Sequence, residues 1–211
     1  VVACYILLVR NGSTSWKAGV AVALVAALLA WGTVRRGADY RSAVAIWQSA
    51  VAAQPTNGRA HLNLGTALQK EGDIPTAVEY YRRTLELEPG LEAGHFNLGS
   101  ALQAMGDMQA AARHYRQALA LKPDYAEAHH NLGQIHKERG DLSAATRHYR
   151  QALALDPSVS GVHSSLGKLF FAVGQYDSAA VYFRRVIALE PGWGEGHNSL
   201  GTVLAIQGQY R

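Results

Sequence analysis

The feature that most constrains the fold of this chain is a strict repeat of 34 residues over most of its 211 residues. The dipeptide Leu-Gly recurs on this period at Leu64-Gly65, Leu98-Gly99, Leu132-Gly133, Leu166-Gly167 and Leu200-Gly201. Five of the six prolines keep the same period, at Pro55, Pro89, Pro123, Pro157 and Pro191. This pattern indicates a stack of similar supersecondary units, because one short unit cannot bury its own apolar face.

Each unit predicts two helices joined by a tight turn. In residues 93–124, apolar side chains recur three and four residues apart in two runs, so each run has one apolar stripe. Gly106 is expected to end the first helix, Asp107 to cap the second, and Pro123 to stop it. Small residues such as Gly99 allow the two helices to cross closely. Aromatic residues are expected to fill the space between neighbouring units, at Tyr81, Tyr115, Tyr149 and Phe183.

The order of these signals resembles the tetratricopeptide repeat: Leu-Gly early, Gly-Asp in the middle, Ala-x3-aromatic later and Pro near the end. The resemblance covers 38–211 and implies an all-α fold, a right-handed α-solenoid of helix-turn-helix repeats. It gives a half repeat and junction at 35–57, full repeats at 58–91, 92–125, 126–159 and 160–193, and a truncated repeat at 194–211. We expect a piece of a larger protein, because the chain opens inside an apolar run and ends where a second helix should follow.

An uncharged run precedes the repeats. Residues 18–34 lie between Lys17 and Arg35, with Trp16 and Trp31 near the two ends. In helical form the run would reach about 25 Å, the lower limit for crossing hydrocarbon. The sequence therefore predicts a transmembrane helix before the solenoid; a buried helix of the repeat fold and a signal peptide are the alternatives. The predicted segments are the end of a transmembrane helix at 1–9, a loop at 10–17 and a transmembrane helix at 18–34.

The charge is unevenly distributed along the chain. Residues 1–57 hold five Lys/Arg against Asp39, whereas residues 58–211 hold fifteen residues of each sign. Nucleic-acid binders usually carry the basic surface on the binding domain itself, so this distribution favours charges that flank a membrane segment. We expect a lipid membrane as a partner, no nucleic acid, and an integral membrane localisation. The flanking charges by themselves do not decide the orientation of the membrane helix. Our expectation is that the repeats lie on the non-cytoplasmic side.

Histidine recurs once per repeat, at His61, His95, His129, His163 and His197. Equivalent residues of stacked units stand about 8–10 Å apart, too far to share one ion. We predict a satisfied, partly buried role between repeats rather than metal binding. The sequence contains no recognisable catalytic motif, so it predicts no catalytic residue, no cofactor and no metal in this chain.

The resemblance implies that the first helix of each repeat lines a concave face. The inward positions predict a peptide-binding column at Asn63, Asn97, Asn131, Ser165 and Ser199, with further contacts from Leu62, Phe96 and His130. An asparagine amide both donates and accepts, so it can pair with a peptide backbone whatever the side chains. We expect a protein or peptide ligand in this groove. The alternative is a polar helix face that only keeps the repeats soluble.

Arginine also recurs once per repeat, in the second helix. Its positions are Arg82, Arg116, Arg150 and Arg184. We expect them on the convex side as a solvated basic stripe, because the repeats as a whole are neutral.

The H-x-N-L-G openings, as at 61–65, and second helices such as 111–121 look like the repeats of O-linked N-acetylglucosamine transferases. That resemblance implies an asparagine ladder that holds acceptor polypeptides. The stretch 35–55 is similar to the junction in transmembrane-and-TPR glycosyltransferases, whose catalytic residues lie upstream. Two functions remain open: a membrane-anchored scaffold that binds proteins or extended peptides, and the acceptor-presenting C-terminal region of a polytopic membrane glycosyltransferase of O-mannosyl or O-GlcNAc type. The visible chain itself is not expected to be an enzyme.

Overall fold

The computed structural model describes residues 43–208, which form ten α-helices and no strand within that range. The helices are α1 (Ala43–Ala53), α2 (Gly58–Glu71), α3 (Ile74–Leu87), α4 (Glu92–Ala104), α5 (Met108–Leu121), α6 (Ala126–Glu138), α7 (Leu142–Leu155), α8 (Ser160–Ala172), α9 (Tyr176–Leu189) and α10 (Gly194–Ile206). The all-α prediction is confirmed.

The turns inside the helix pairs form as the residue types predict. Gly106 follows α4 with φ 85°, a left-handed conformation that glycine adopts without strain. The carboxylate of Asp107 then accepts a hydrogen bond from the Ala110 backbone N–H at 2.9 Å, which caps α5. The same geometry recurs one period later, where Gly140 has φ 79° and Asp141 accepts from Ala144 N–H at 2.9 Å.

The core between helices depends on a glycine that faces an aromatic ring. A Cβ added to Gly133 on α6 would lie 2.5 Å from Cε1 of Tyr149 on α7, so only glycine fits there. Tyr149 is fully buried, and the equivalent rings of Tyr81, Tyr115 and Phe183 are at most 2% exposed. The predicted burial of these rings is confirmed, but each ring packs against the glycine of the first helix in its own unit rather than filling the space between units.

The helices form two sets that define two faces. The first helices of the pairs, α2, α4, α6, α8 and α10, form what we call the first-helix face. Successive members are joined directly, since Gln69 on α2 donates from Nε2 to Oγ of Ser100 on α4 at 3.3 Å. The second helices, α3, α5, α7 and α9, form the second-helix face, and each packs against the first helix of the next pair.

The localisation predicted from the sequence requires a correction. The segments behind that prediction, 1–9, 10–17 and 18–34, lie outside the described residues. Within 43–208 the longest helices have 14 residues, which is about 21 Å of rise against about 30 Å of hydrocarbon. None of the described helices is both long and apolar enough to cross a bilayer. This finding overturns the integral membrane localisation with repeats on the non-cytoplasmic side, and we do not retain it.

Candidate peptide-binding face

The five predicted polar positions occupy equivalent places on the first-helix face. All five side chains are half-buried, one on each first helix: Asn63, Asn97, Asn131, Ser165 and Ser199. Each is therefore partly in contact with its neighbours and partly open to solvent.

Two of the asparagines connect neighbouring repeats through their amide nitrogens. Asn97 on α4 donates from Nδ2 to Oγ1 of Thr66 on α2 at 3.2 Å. Asn131 on α6 donates to the hydroxyl oxygen of Tyr115 on α5 at 3.0 Å. Within residues 43–208, their Oδ1 atoms accept no hydrogen bond, and the Asn63 amide makes none at all. In Asn97 and Asn131 the Nδ2 hydrogen bond therefore fixes the position of the amide group. The Oδ1 atom of the same amide accepts no hydrogen bond from residues 43–208.

A buried tyrosine and a glutamine support each of these contacts. The hydroxyl of Tyr81 donates to Oε1 of Gln69 at 2.7 Å, and that of Tyr115 donates to Oε1 of Gln103 at 2.8 Å. Burial raises the pKa of Tyr115 to about 12, so its hydroxyl stays neutral and can both donate and accept. Sequence reasoning missed the two glutamines, although they lie on the same 34-residue period as the asparagines.

The network changes in the third full repeat. Lys137 stands where the earlier repeats have glutamine. The hydroxyl of Tyr149 is buried and makes no hydrogen bond of normal geometry, although Ser165 interacts with it and partly offsets the rise in pKa that burial causes. Ser165 stands where they have asparagine, and its Oγ donates to the carbonyl of Gly161 at 2.9 Å. The polar residue of the column therefore bonds to the neighbouring repeat on α6, whereas on α8 it donates to its own helix.

The three predicted contact residues beside the column make contacts within the fold. Leu62 and Phe96 pack against the core, and the Phe96 ring lies 4.7 Å from the ring of Tyr125. His130 lies with Nε2 3.1 Å from Oγ of Ser165, and burial lowers its pKa, so it is neutral at pH 7. These side chains are half-buried, and only part of each surface faces solvent.

An open cavity of about 180 Å³ lies at the end of the column, between α8, α9 and α10. Its lining residues are Lys168, Phe171, Phe183, Ser199 and Thr202. Phe183 occupies the tyrosine position without a hydroxyl, and Ser199 occupies the asparagine position with a shorter side chain. The cavity therefore lies where the tyrosine and asparagine side chains of earlier repeats fill the space. At its rim, Nζ of Lys168 pairs with Oε1 of Glu195 at 2.6 Å.

The recurring histidines hold the turns between repeats. The Nε2 atoms of four of them lie 2.9 to 3.2 Å from the carbonyl oxygen of the proline six residues earlier: His61, His95, His163 and His197. A carbonyl only accepts, so Nε2 carries the proton and donates. The predicted role between repeats is confirmed in this respect, but Nδ1 of His61 and Nδ1 of His163 are buried without a partner. In the described part of the chain, no three His, Cys, Asp or Glu residues are grouped to hold a metal.

Comparisons with known proteins agree with the repeat architecture. Models of the tetratricopeptide repeat match residues 58–91, 91–158 and 161–192, which together make up more than half of the chain. No curated protein sequence matches significantly. Nothing in the comparisons supports the resemblance to O-GlcNAc transferases or the predicted membrane glycosyltransferase.

Several solved structures are similar to this one. The crystal structure of MamA is 25% identical, with a TM-score of 0.65 over 74% of this chain and 92% of that one. YrrB, described as a TPR protein with an unusual peptide-binding site, is 16% identical, with a TM-score of 0.64 over 78% and 85%. PilF of Pseudomonas aeruginosa is 19% identical, with a TM-score of 0.72 over 86% and 82%. The last two likenesses concern the fold alone. The repeat period, the helix pairs and the matched models lead to one conclusion: the chain belongs to the tetratricopeptide repeat family.

Proposed function

We propose that the first-helix face is the concave groove of the solenoid and that it binds an extended segment of a partner protein through the peptide backbone. The observation that carries this proposal is the set of Oδ1 acceptors on Asn63, Asn97 and Asn131, one per repeat, which accept no hydrogen bond from any residue of 43–208. A backbone N–H is the donor that every non-proline residue offers, so such acceptors recognise a polypeptide without reading its side chains.

The hydrogen bonds of the asparagines favour this role. Because Nδ2 of Asn97 and Nδ2 of Asn131 are already bonded within the fold, the two Oδ1 atoms are held before a ligand arrives. Binding then costs little additional side-chain entropy.

The spacing of the repeats matches one form of extended chain. Stacked helices lie about 8–10 Å apart. A polyproline II segment turns once every three residues and advances about 9 Å in that turn, so it presents N–H groups in one direction at nearly the same interval. We expect one backbone contact per repeat and per three ligand residues.

The cavity beside Phe171 and Phe183 adds a place for one side chain. Two phenyl rings contribute to its wall, and its volume of about 180 Å³ suits an aliphatic or aromatic group. A peptide that lies along the asparagines would reach this cavity at the α10 end of the groove.

The family supports the general class of function. Tetratricopeptide repeats are typically non-enzymatic scaffolds that bind protein or peptide partners, and the similar YrrB is described as having a peptide-binding site. No observation in the described residues favours the acceptor-presenting glycosyltransferase alternative.

Asn63→Ala gives the cleanest test because Asn63 makes no hydrogen bond within the described range. Twelve-residue peptides would be selected by phage display on the full chain, and the affinity of the best one measured by fluorescence anisotropy. Removing one acceptor should weaken binding by about 2- to 13-fold, the equivalent of about 0.5–1.5 kcal/mol. Gln117→Ala, an exposed change on α5, is the control and should leave affinity unchanged. Failure to select any peptide, or equal affinity of Asn63→Ala and wild type, contradicts the proposal.

A further inference from the structure

The second-helix face carries an unbalanced positive charge at its centre. Helices α5 and α7 contain Arg113, Arg116, Arg147 and Arg150 and no acidic residue. All four side chains are exposed, and none forms an ion pair with another residue of 43–208. Residues 58–211 contain equal numbers of positive and negative residues. The positive charge of α5 and α7 is therefore balanced by acidic residues that lie on other parts of the repeats.

Two half-buried histidines lie among these arginines. The pKa of His114 is lowered by burial first, then by the charges of His95, Arg113 and Arg82. Arg113 lies on the same helix as His114, whereas Arg82 belongs to α3 of the preceding repeat. The arginine of one repeat therefore lies close enough to act on the histidine of the next.

The same arrangement recurs one repeat later. Burial lowers the pKa of His148 to about 4, with further contributions from His129, His136, Arg147 and Arg116. Arg116 again comes from the second helix of the preceding repeat. The arginines and histidines thus form a continuous surface, which we call the basic stripe: Arg82, Arg113, His114, Arg116, Arg147, His148 and Arg150.

The histidines are kept neutral in a defined tautomer. Nδ1 of His95 lies 3.1 Å from Nδ1 of His114, and Nε2 of His95 donates its proton to the Pro89 carbonyl oxygen. Nδ1 of His95 therefore accepts, and His114 donates from its own Nδ1. Nε2 of His114 is left as a lone pair without a partner in the described residues. It becomes a donor as soon as it takes up a proton.

We propose that the basic stripe docks an acidic polypeptide segment of a partner protein. The arginine guanidinium forms paired hydrogen bonds with a carboxylate, and the five cations of the stripe are all arginines rather than lysines. This site is on the opposite set of helices from the peptide groove, so it does not depend on the function proposed above.

The adjoining surface favours a polypeptide over a nucleic acid. On α9, Arg184 lies in an open groove with Tyr182, Ala188 and Val181, and Val181 is 61% exposed. An apolar surface next to the charges suits the side chains of a protein ligand. The overall neutrality of the repeats also differs from the excess positive charge of a nucleic-acid-binding domain.

The test uses the full chain and a fluorescein-labelled twelve-residue peptide of alternating Glu and Val. Arg113→Glu with Arg147→Glu should weaken its binding about tenfold, because two attractive contacts become repulsive. The control is Arg59→Glu with Lys70→Glu, which makes the same change in net charge on α2, and it should retain most of the affinity. Circular dichroism checks that both double variants keep wild-type helicity.

Three results would overturn the proposal: no binding of the acidic peptide at low salt, an equal loss in the control variant, or tighter binding of a twelve-nucleotide single-stranded DNA than of the peptide at the same salt concentration. Equal loss would mean that net charge alone attracts the peptide, and preference for DNA would make the stripe a nucleic-acid surface.

Discussion

The Nδ1 atoms of His129 and His148 lie 3.1 Å apart, one on the first and one on the second helix of the same repeat. One of these two Nδ1 atoms carries a proton and donates, and the other accepts with its lone pair. Burial lowers the pKa of both residues, to about 4 for His148. The contact between the two helices needs one Nδ1 proton and one Nδ1 lone pair, so it is lost only when both rings carry a proton on Nδ1.

The lowered pKa of half-buried His148 predicts loss of stability in acid. Below the ordinary histidine pKa of about 6.5, the unfolded chain takes up protons that folded His148 does not bind until about pH 4. The free energy of unfolding should fall as the pH drops from 6.5 to 4. Urea titrations at pH 7.5, 6, 5 and 4 measure it.

His148→Tyr is the matched variant, because Tyr80 and Tyr182 occupy the equivalent position in other repeats. It should reduce the slope of stability against pH, whereas Gln151→Tyr, an exposed change on the same helix that removes no titrating group, should leave the slope as in wild type. An unchanged slope in His148→Tyr would show that the acid sensitivity arises elsewhere.

The two buried tyrosines of neighbouring repeats should respond in opposite directions to the same substitution. Tyr115→Phe removes the bonds to Gln103 and Asn131 and should cost about 1–3 kcal/mol. Tyr149→Phe removes a buried hydroxyl that makes no hydrogen bond of normal geometry and interacts only with Ser165, so it should raise the free energy of unfolding by about 1 kcal/mol. Urea unfolding at pH 7.5 compares them, and the ring volume is nearly constant. A loss of the same size in both would mean that Tyr149 has a partner in solution.

The helices and turns followed from local signals in the sequence. Gly106 and Asp107 act through their own backbone conformation and the next few residues, so a 34-residue pattern suffices to place them. The position of the asparagines on first helices also followed from the period. The membrane prediction relied on the uncharged run 18–34, its Trp and basic flanks and the excess of positive charge in 1–57, none of which belongs to the full repeats at 58–193.

The contacts of the site could not be predicted in the same way. Which group Asn131 bonds depends on how far α6 lies from Tyr115, and that distance is set by packing between repeats. The hydrogen bond between His114 and His95 likewise depends on the angle between α4 and α5, which the repeat pattern does not specify. A period identifies equivalent positions, but it does not say which of them face one another.

The cavity at the α10 end of the groove predicts a preference for one apolar ligand side chain. Phe183→Tyr combined with Ser199→Asn restores the residues that fill the equivalent space near Tyr115 and Asn131. We expect the double variant to fold at least as stably as wild type, because the added groups occupy open space and can hydrogen-bond each other.

The measurement compares a selected groove-binding peptide with its analogue in which the one apolar anchor is alanine. Wild type should bind the parent about tenfold more tightly, since burying two CH₂ groups contributes about 1.6 kcal/mol. The double variant should bind the two peptides equally, because the anchor no longer has a cavity to enter. Ser143→Asn, an exposed change on α7, should keep the wild-type preference. If the double variant still discriminates tenfold, the anchor binds elsewhere along the face, and the contacts of Leu62 and Phe96 become the place to search.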